Sequence, residues 1–237
     1  MKIVIVGAGR CGLSLAAAAE TVGHDVTVVH HDELEQIPAA DAIIVCVPDS
    51  AIASVATAIP LTSAVVMHVA GSRGLDVLEP HTRVASMHPL MALPNPEVGA
   101  QRLRDATFAV AGDPLAIELV TSLGGRPVII HDDNRVNYHA AACVAANHLV
   151  ALMASVDEIA RSVGLTVDDY LPLAVASLRD VATMGPRDAL TGPASRGDLS
   201  TIDAHLHAIP ASERELYVAL AREALALGEL QRSSTVA

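Results

Sequence analysis

A doubly wound parallel sheet of the α/β class, followed by an all-helical C-terminal domain, is the architecture this sequence predicts. Three observations carry it. Short β-branched apolar runs alternate with helical stretches through the first half of the chain. The first run, 2–6, passes directly into a glycine-rich turn and an alanine-rich helix. After Ile130 the strand signals cease and only helical patterning continues. The expected division is a sheet domain over 1–131 and a helical domain over 132–237.

Taken in order, strands are predicted over 2–6, 26–29, 42–47, 64–69, 84–87, 107–111 and 127–130. A helix over 10–22 stops at Gly23, and Asp113-Pro114 opens another that Gly124-Gly125 closes. Asp132-Asp133-Asn134 is expected to cap a long helix reaching 163, stopped by Gly164. Another helix follows over 166–183, then a Pro/Gly loop over 185–197. Helices over 198–208 and 211–230 precede a loose tail, 231–237. The stretch 51–71 carries no Asp, Glu, Lys or Arg and has the hydropathy of a membrane span. Pro60 interrupts it, however, and leaves strand-length runs suited to a sheet buried on both faces.

Composition sets limits. A chain of 237 residues buries roughly 70% of its unfolded surface. Hydrophobic residues make up 51% but aromatics only 2%, so Ala, Val, Leu and Ile must fill the core. The net charge of −12 opposes non-specific binding to nucleic acid or an anionic membrane. An anionic ligand must then be held by backbone donors and selected arginines. Lys2 is the only lysine, and it is committed to the first strand. Cys11, Cys46 and Cys143 lie in apolar segments at no metal or disulfide spacing. Buried, reduced thiols in a cytoplasmic protein are the expectation, with no leader ahead of the first strand.

The turn after the first strand reads Gly7-Ala8-Gly9-Arg10-Cys11-Gly12, a G-x-G-x-x-G in its required strand–turn–helix setting. Gly7 permits the tight turn, Gly9 lets the backbone approach a pyrophosphate, and Gly12 lets the helix pack on its strand. The helix start directs its positive end at the phosphates. This is the Rossmann pattern for NAD or NADP. The ribose-reading position lies 18 to 20 residues past Gly12 and offers His30, His31 and Asp32. Asp32 suits a ribose hydroxyl, whereas a protonated His30 or His31 suits a 2′-phosphate.

Further short motifs occur in order: Asp41 to Val47 leading into Pro48-Asp49-Ser50, His68-Val69-Ala70-Gly71, and Ser86-Met87-His88-Pro89-Leu90. Tyr138-His139-Ala140-Ala141, Asn147, Leu190-Thr191-Gly192-Pro193, Arg196-Gly197-Asp198 and His205 follow. Over most of its length the chain resembles the Rossmann-like proteins with a C-terminal DUF2520 domain, in the wider 6-phosphogluconate-dehydrogenase-like group. The resemblance implies NAD(P)-dependent reduction related to that of ketopantoate and pyrroline-5-carboxylate reductases. It also implies that Val47, Pro48 and Asp49 border the cofactor and that His205 belongs with the substrate residues. Two features depart from that group. Only eleven residues, 30–40, stand where its members carry a further strand with flanking helices. The lysine such relatives use on the interdomain helix is missing.

Hydride transfer to a carbonyl or imine requires a general acid within about 3 Å. With lysine excluded, His88 or His139 is the candidate, being of a type that titrates near neutrality. His88 follows the C-terminal end of a predicted strand, where doubly wound sheets place ligands, and His139 begins the long helix facing that edge. Asn147 lies two turns beyond His139, about 80° round a regular helix, where it either orients substrate or ties helices together. Arg196 either forks onto a substrate carboxylate or pins its loop through a salt bridge. Asp198 should cap the helix that follows it. His205 and His207 face apart, so no metal site is expected.

Three functions fit these residues. One is an NAD(P)H-dependent reductase of a small 2-oxo or imino acid. Another is NADP/deazaflavin hydride exchange, and the third is a dinucleotide-binding scaffold without catalysis. The helix over 137–155 is apolar on nearly every face, which points to a homodimer that covers it.

Overall fold

The structure is a computed structural model and describes residues 1–30, 32–34 and 37–235. It divides into two compact units, Met1–Ala146 and Asn147–Ala237. The first holds a seven-stranded sheet: β1 (Lys2–Val6), β2 (Asp25–Val29), β3 (Ala42–Val45), β4 (Val65–His68), β5 (Val84–Pro89), β6 (Thr107–Gly112) and β7 (Arg126–Ile129). Their order is β2-β1-β3-β4-β5-β6-β7. The chain goes from β1 to β2 on one side and then crosses to β3 on the other. The C-terminal ends of β1 and β3 thus flank a topological switch point, where open α/β sheets bind ligands.

The apolar runs form strands because helices cover both faces. In β1, β3 and β4 nearly every residue is buried. Alternation along each strand splits the core in two. Ile3, Ile5, Ile44 and Met67 join Leu15 of α1 (Arg10–Thr21) and Phe108 on one face. Val4, Val6, Ile43 and Val45 join Ile52 and Val55 of α2 (Ile52–Ala58) on the other. The uncharged segment 51–71 is therefore α2 plus β4 inside this sandwich. Two more helices complete the layer on the first face, α3 (Pro96–Leu103) and α4 (Leu115–Ser122).

The expected all-parallel sheet needs one correction, because β6 runs antiparallel to β5, with Met87 opposite Val110. The segment that joins them, α3 included, does not cross back along the sheet as the segments through α2 and α4 do. The chain instead returns from the edge at which β5 ended. Asp105, at φ +66, makes that turn.

The sheet ends at Ile129, close to the expected boundary at 131, yet its compact unit continues to Ala146. The reason is Arg135, the first residue of α5 (Arg135–Cys143), whose fully buried side chain donates to Ser86 of β5. Asp132-Asp133-Asn134 form a 3-10 turn, and no side chain of theirs caps α5. Asp132 instead accepts from the Leu75 N–H at 3.0 Å. The long helix is not regular either. Val144–His148 form a π-helical turn between α5 and α6 (Leu149–Arg161).

In the second unit, α7 (Val167–Ala189) starts at a capping box between Thr166 and Asp169 and breaks at Gly185. The predicted loop over 185–197 is mostly helical. Residues after Gly185 resume a turn, and α8 (Gly192–Arg196) follows, ended by Gly197 at φ +70. The backbone carbonyls left at the end of α8 explain this. Arg232 donates to Ala194 O at 3.2 Å and to Ser195 O at 2.6 Å. Asp198 caps α9 (Leu199–Ala208) as expected, accepting from Thr201 N at 3.1 Å. The tail is not loose up to Thr235, since α10 (Arg214–Thr235) includes it and Arg232 is one of its ties.

Phe108 is the only phenylalanine of the chain and is fully buried, with its ring 2.7 Å from where a Gly125 Cβ would stand. Phe108→Ala is expected to lower the unfolding free energy of the first unit by about 3–5 kcal/mol. Urea titration followed by circular dichroism measures it.

Candidate active site

The glycine turn is built as its spacing requires. Gly7 has φ +112, and a Cβ there would lie 2.5 Å from the Cys46 carbonyl oxygen. A Cβ at Gly12 would collide with the Gly7 carbonyl. Gly9 is different, because nothing stands within 4 Å of a Cβ placed on it. The backbone is open there. No side chain caps α1, and its first turn, with Arg10 and Cys11, contains no acid. The N–H groups of that turn remain for an anion. The turn thus fits the diphosphate of a dinucleotide.

His30 follows β2, where its Nδ1 lies 2.5 Å from Asp32 Oδ1 and its N–H donates to Glu33 at 3.3 Å. His31 falls outside the described residues. Val47, Pro48 and Asp49 follow β3, with Val47 packed 3.4 Å from a Gly7 Cβ. Asp49 accepts from Ser72 Oγ at 3.3 Å and stands 4.0 Å from Arg73 Nε.

A polar cluster lies at the C-terminal ends of β4 and β5. His88 Nδ1 is 2.7 Å from the Tyr138 hydroxyl, and the two rings meet edge to face. The His88 and His139 ring centres are 5.7 Å apart. His88 Nε2 and His139 Nδ1 both point at Gly71, lying 3.0 and 2.5 Å from where its Cβ would be. His139 Nδ1 is buried without a hydrogen-bond partner, and its Nε2 lies 3.6 Å from Cys143 Sγ. Beneath them Arg135 is held by Asp132 at 2.8 Å and by Ser86, while its third nitrogen is buried and unpartnered. His68, fully buried, lies 3.1 Å from Gly74 O.

Protonation follows from these surroundings. Burial first, then the nearby His139 and Arg135, lowers the His88 pKa to about 4. Burial and Arg135 likewise bring His68 to about 4. Tyr138 is pushed up to about 12 by burial. At neutral pH, therefore, His88 is a neutral imidazole beside a protonated phenol. This differs from the near-neutral titration its residue type suggests.

The structure places His88 and His139, the two alternative proton donors, side by side. The remaining candidates lie in the second unit. Asn147 sits in the π-helical turn, which alters the 80° phase expected of a regular helix. Arg196 ends α8, exposed, and meets no carboxylate within salt-bridge distance among the described residues. His205 Nδ1 is tied to the Tyr217 hydroxyl at 2.7 Å. Among the described residues no cluster of metal ligands occurs. Sequence reasoning passed over Arg135, Tyr138 and Ser86 as site residues. Tyr138 adjoins His139 and was open to notice, but the Arg135–Ser86 contact joins positions 49 apart.

Residues 2–44 match the model for pyridine nucleotide-disulphide oxidoreductases, and residues 107–224 match DUF2520, a domain of unknown function. Among curated proteins none matches. Protein TM1727 from Thermotoga maritima has a TM-score of 0.77 at 24% identity, over 97% of this chain and 99% of its own. The suggested NADP oxidoreductase BF3122 from Bacteroides fragilis has 0.79 at 26%, over 94% and 97%. A reductive aminase from Aspergillus terreus, solved with NADPH and ethyl levulinate, has 0.69 at 18%, over 97% of each chain. At 24% and 18% the likeness concerns the fold. Fold, open glycine turn and N-terminal match together define an oxidoreductase of the pyridine-nucleotide class. Within that class, the chain is a Rossmann-type protein with a C-terminal DUF2520 domain.

The depressed histidines predict acid sensitivity. His68 and His88 stay neutral in the fold down to about pH 4, while in the unfolded chain they protonate near 6.5. Between those values the unfolded state binds more protons. Their contribution to stability is complete above pH 6.5 and is lost as the pH falls toward 4. Thermal melts across this window should show a falling Tm, with a smaller drop in His88→Gln.

Proposed function

We propose that this protein is an NAD(P)H-dependent reductase of a small 2-oxo or imino acid. The observation that carries the reading is the Tyr138–His88 pair, 2.7 Å apart, with the far nitrogen of His88 packed against Gly71. Gly71 follows β4, at the same sheet edge as the glycine turn. Gly9, Arg10, Cys11 and Gly12 hold the diphosphate through backbone N–H groups, while Gly7, whose own N–H donates to Val29 O at 3.0 Å, shapes the turn; Asp32 or His30 meets the adenosine ribose. Val47, Pro48 and Asp49 border the rest of the cofactor. Bound there, the nicotinamide supplies the hydride.

The protein's own groups supply the proton. The Tyr138 hydroxyl donates to His88 Nδ1, which leaves the imidazole proton on Nε2, facing Gly71. As negative charge develops on the substrate oxygen or nitrogen, Nε2 gives up its proton and Nδ1 takes the phenolic one. A histidine with pKa about 4 suits this role, because it acts as a neutral relay and not as a stored acid. Arg196, exposed at the end of α8, keeps the role its sequence suggests, a fork for a substrate carboxylate. Asn147 is assigned an orienting hydrogen bond.

The helix over 137–155 leaves Val144 58% and Val150 71% exposed, and we assign its cover to a second copy of the chain. Three free thiols suit the reducing cytoplasm, where we place the protein.

Titration calorimetry with NADH and NADPH should give saturable binding, and NADPH oxidation should follow with a panel of keto and imino acids. Tyr138→Phe is expected to lower kcat by about 100-fold or more at unchanged cofactor affinity. Arg196→Ala should chiefly raise KM for the acid. Binding without turnover across the panel would favour the scaffold reading instead. Sedimentation at micromolar concentration should show a dimer, and a stable monomer refutes the assigned cover.

A further inference from the structure

The helix that carries Tyr138 is seated on the sheet without apolar burial. Along α5 the only buried residue is Arg135, so no hydrophobic side chain fixes where the helix lies. Apolar contact has no direction, whereas a guanidinium holds its acceptors in a set geometry. The placement of α5 on β5 therefore rests on hydrogen bonds.

Two rungs join these elements. Ser86 and His88 are two residues apart on β5 and share a face of the strand. Arg135 and Tyr138 are three apart on α5 and are neighbours on its surface. Arg135 donates to Ser86 Oγ, and the Tyr138 hydroxyl lies 2.7 Å from His88 Nδ1. Ser86 is fully buried, and Arg135 is the hydrogen-bond partner of its hydroxyl. A second tie fixes the approach of the guanidinium. Arg135 Nε donates to Asp132 Oδ1 at 2.8 Å, and Asp132 Oδ2 accepts from the Leu75 N–H at 3.0 Å.

We propose that Arg135 and Ser86 are positioning residues for the proton relay, their contact setting the length of the Tyr138–His88 hydrogen bond. Both are fully buried, so they act through the helix and the strand and not on a substrate. Without the Ser86 hydroxyl the guanidinium keeps Asp132 alone, and α5 is free to shift on the strand. A shift of about 1 Å would open the Tyr138–His88 contact to about 3.7 Å, beyond hydrogen-bond range. His88 Nδ1 then loses its fixed donor, and the ring proton distributes between the two nitrogens. This role deepens the function proposed above and rests on it for the rate. The state of the His88 ring belongs to the protein alone.

The test uses full-length, cofactor-free, isotope-labelled protein. Long-range nitrogen–proton NMR reads which nitrogen of His88 carries the proton, with His88→Gln giving the assignment. Wild type should show a single form, protonated on Nε2. Ser86→Ala should fold as wild type by circular dichroism yet show His88 exchanging between both forms. Arg135→Lys, which keeps the charge and loses the fork, should do the same. Ser86→Thr returns the hydroxyl and should return the single form. With NADPH and the acid panel, Ser86→Ala should lower kcat by about 10- to 100-fold at unchanged KM for NADPH, the scale of a misplacement of about 1 Å. A single Nε2-protonated form in both Ser86→Ala and Arg135→Lys would overturn the proposal. Loss of the fold in Ser86→Ala would overturn it too, by making the contact structural. If the His88 ring responds to these substitutions while wild type reduces no acid, the positioning role stands and the reductase reading alone fails.

Discussion

A charged guanidinium sealed beneath the end of the sheet governs the layout of the candidate site. Arg135 is fully buried, with one carboxylate and one hydroxyl for company. Removing a charge from water is costly unless it is paired, so the position of Arg135 between Asp132 and Ser86 is tightly held. Asp132 is fixed in turn by the Leu75 N–H. Since Arg135 opens α5, the same anchor sets where Tyr138 and His139 stand one turn further on. Its charge also helps to keep His68 and His88 neutral. One side chain thus orients the helix and adds to the burial that keeps the neighbouring histidines neutral.

The glycine turn works on the opposite principle. It has almost no side chains to arrange, and its shape comes from atoms that are missing. Gly7 and Gly12 let strand, turn and helix approach within distances a methyl group would forbid, while Gly9 leaves a gap facing outward. In a chain of net charge −12, donors of this kind attract an anion without spending one of the few basic residues. The division is economical. Backbone amides meet the phosphates, and side chains on β5 and α5 manage protons.

How much of this was legible in the sequence depended on distance along the chain. The turn compresses strand, glycines and helix into a dozen residues, so its geometry follows from local rules. His88 could be placed because a strand end is a local feature, and His139 because a helix start is one. Arg135 and Ser86 were silent, since nothing in either neighbourhood signals a contact across 49 positions. The pKa of His88 was hidden for the same reason, being set by groups on another element. The direction of β6 escaped because strand patterning carries no sense of polarity. The helical character of 186–196 was masked by its Pro and Gly content, and its carbonyls find their partner on α10.

The lone lysine has a practical corollary. Lys2 opens β1 and is exposed, at the edge of the sheet opposite the one that carries Gly9, Gly71 and His88. Chemistry directed at ε-amino groups has a single target on this molecule. A surface or dye coupled through that amine would meet every copy at the same face and leave the strand ends with the glycine turn free toward solvent.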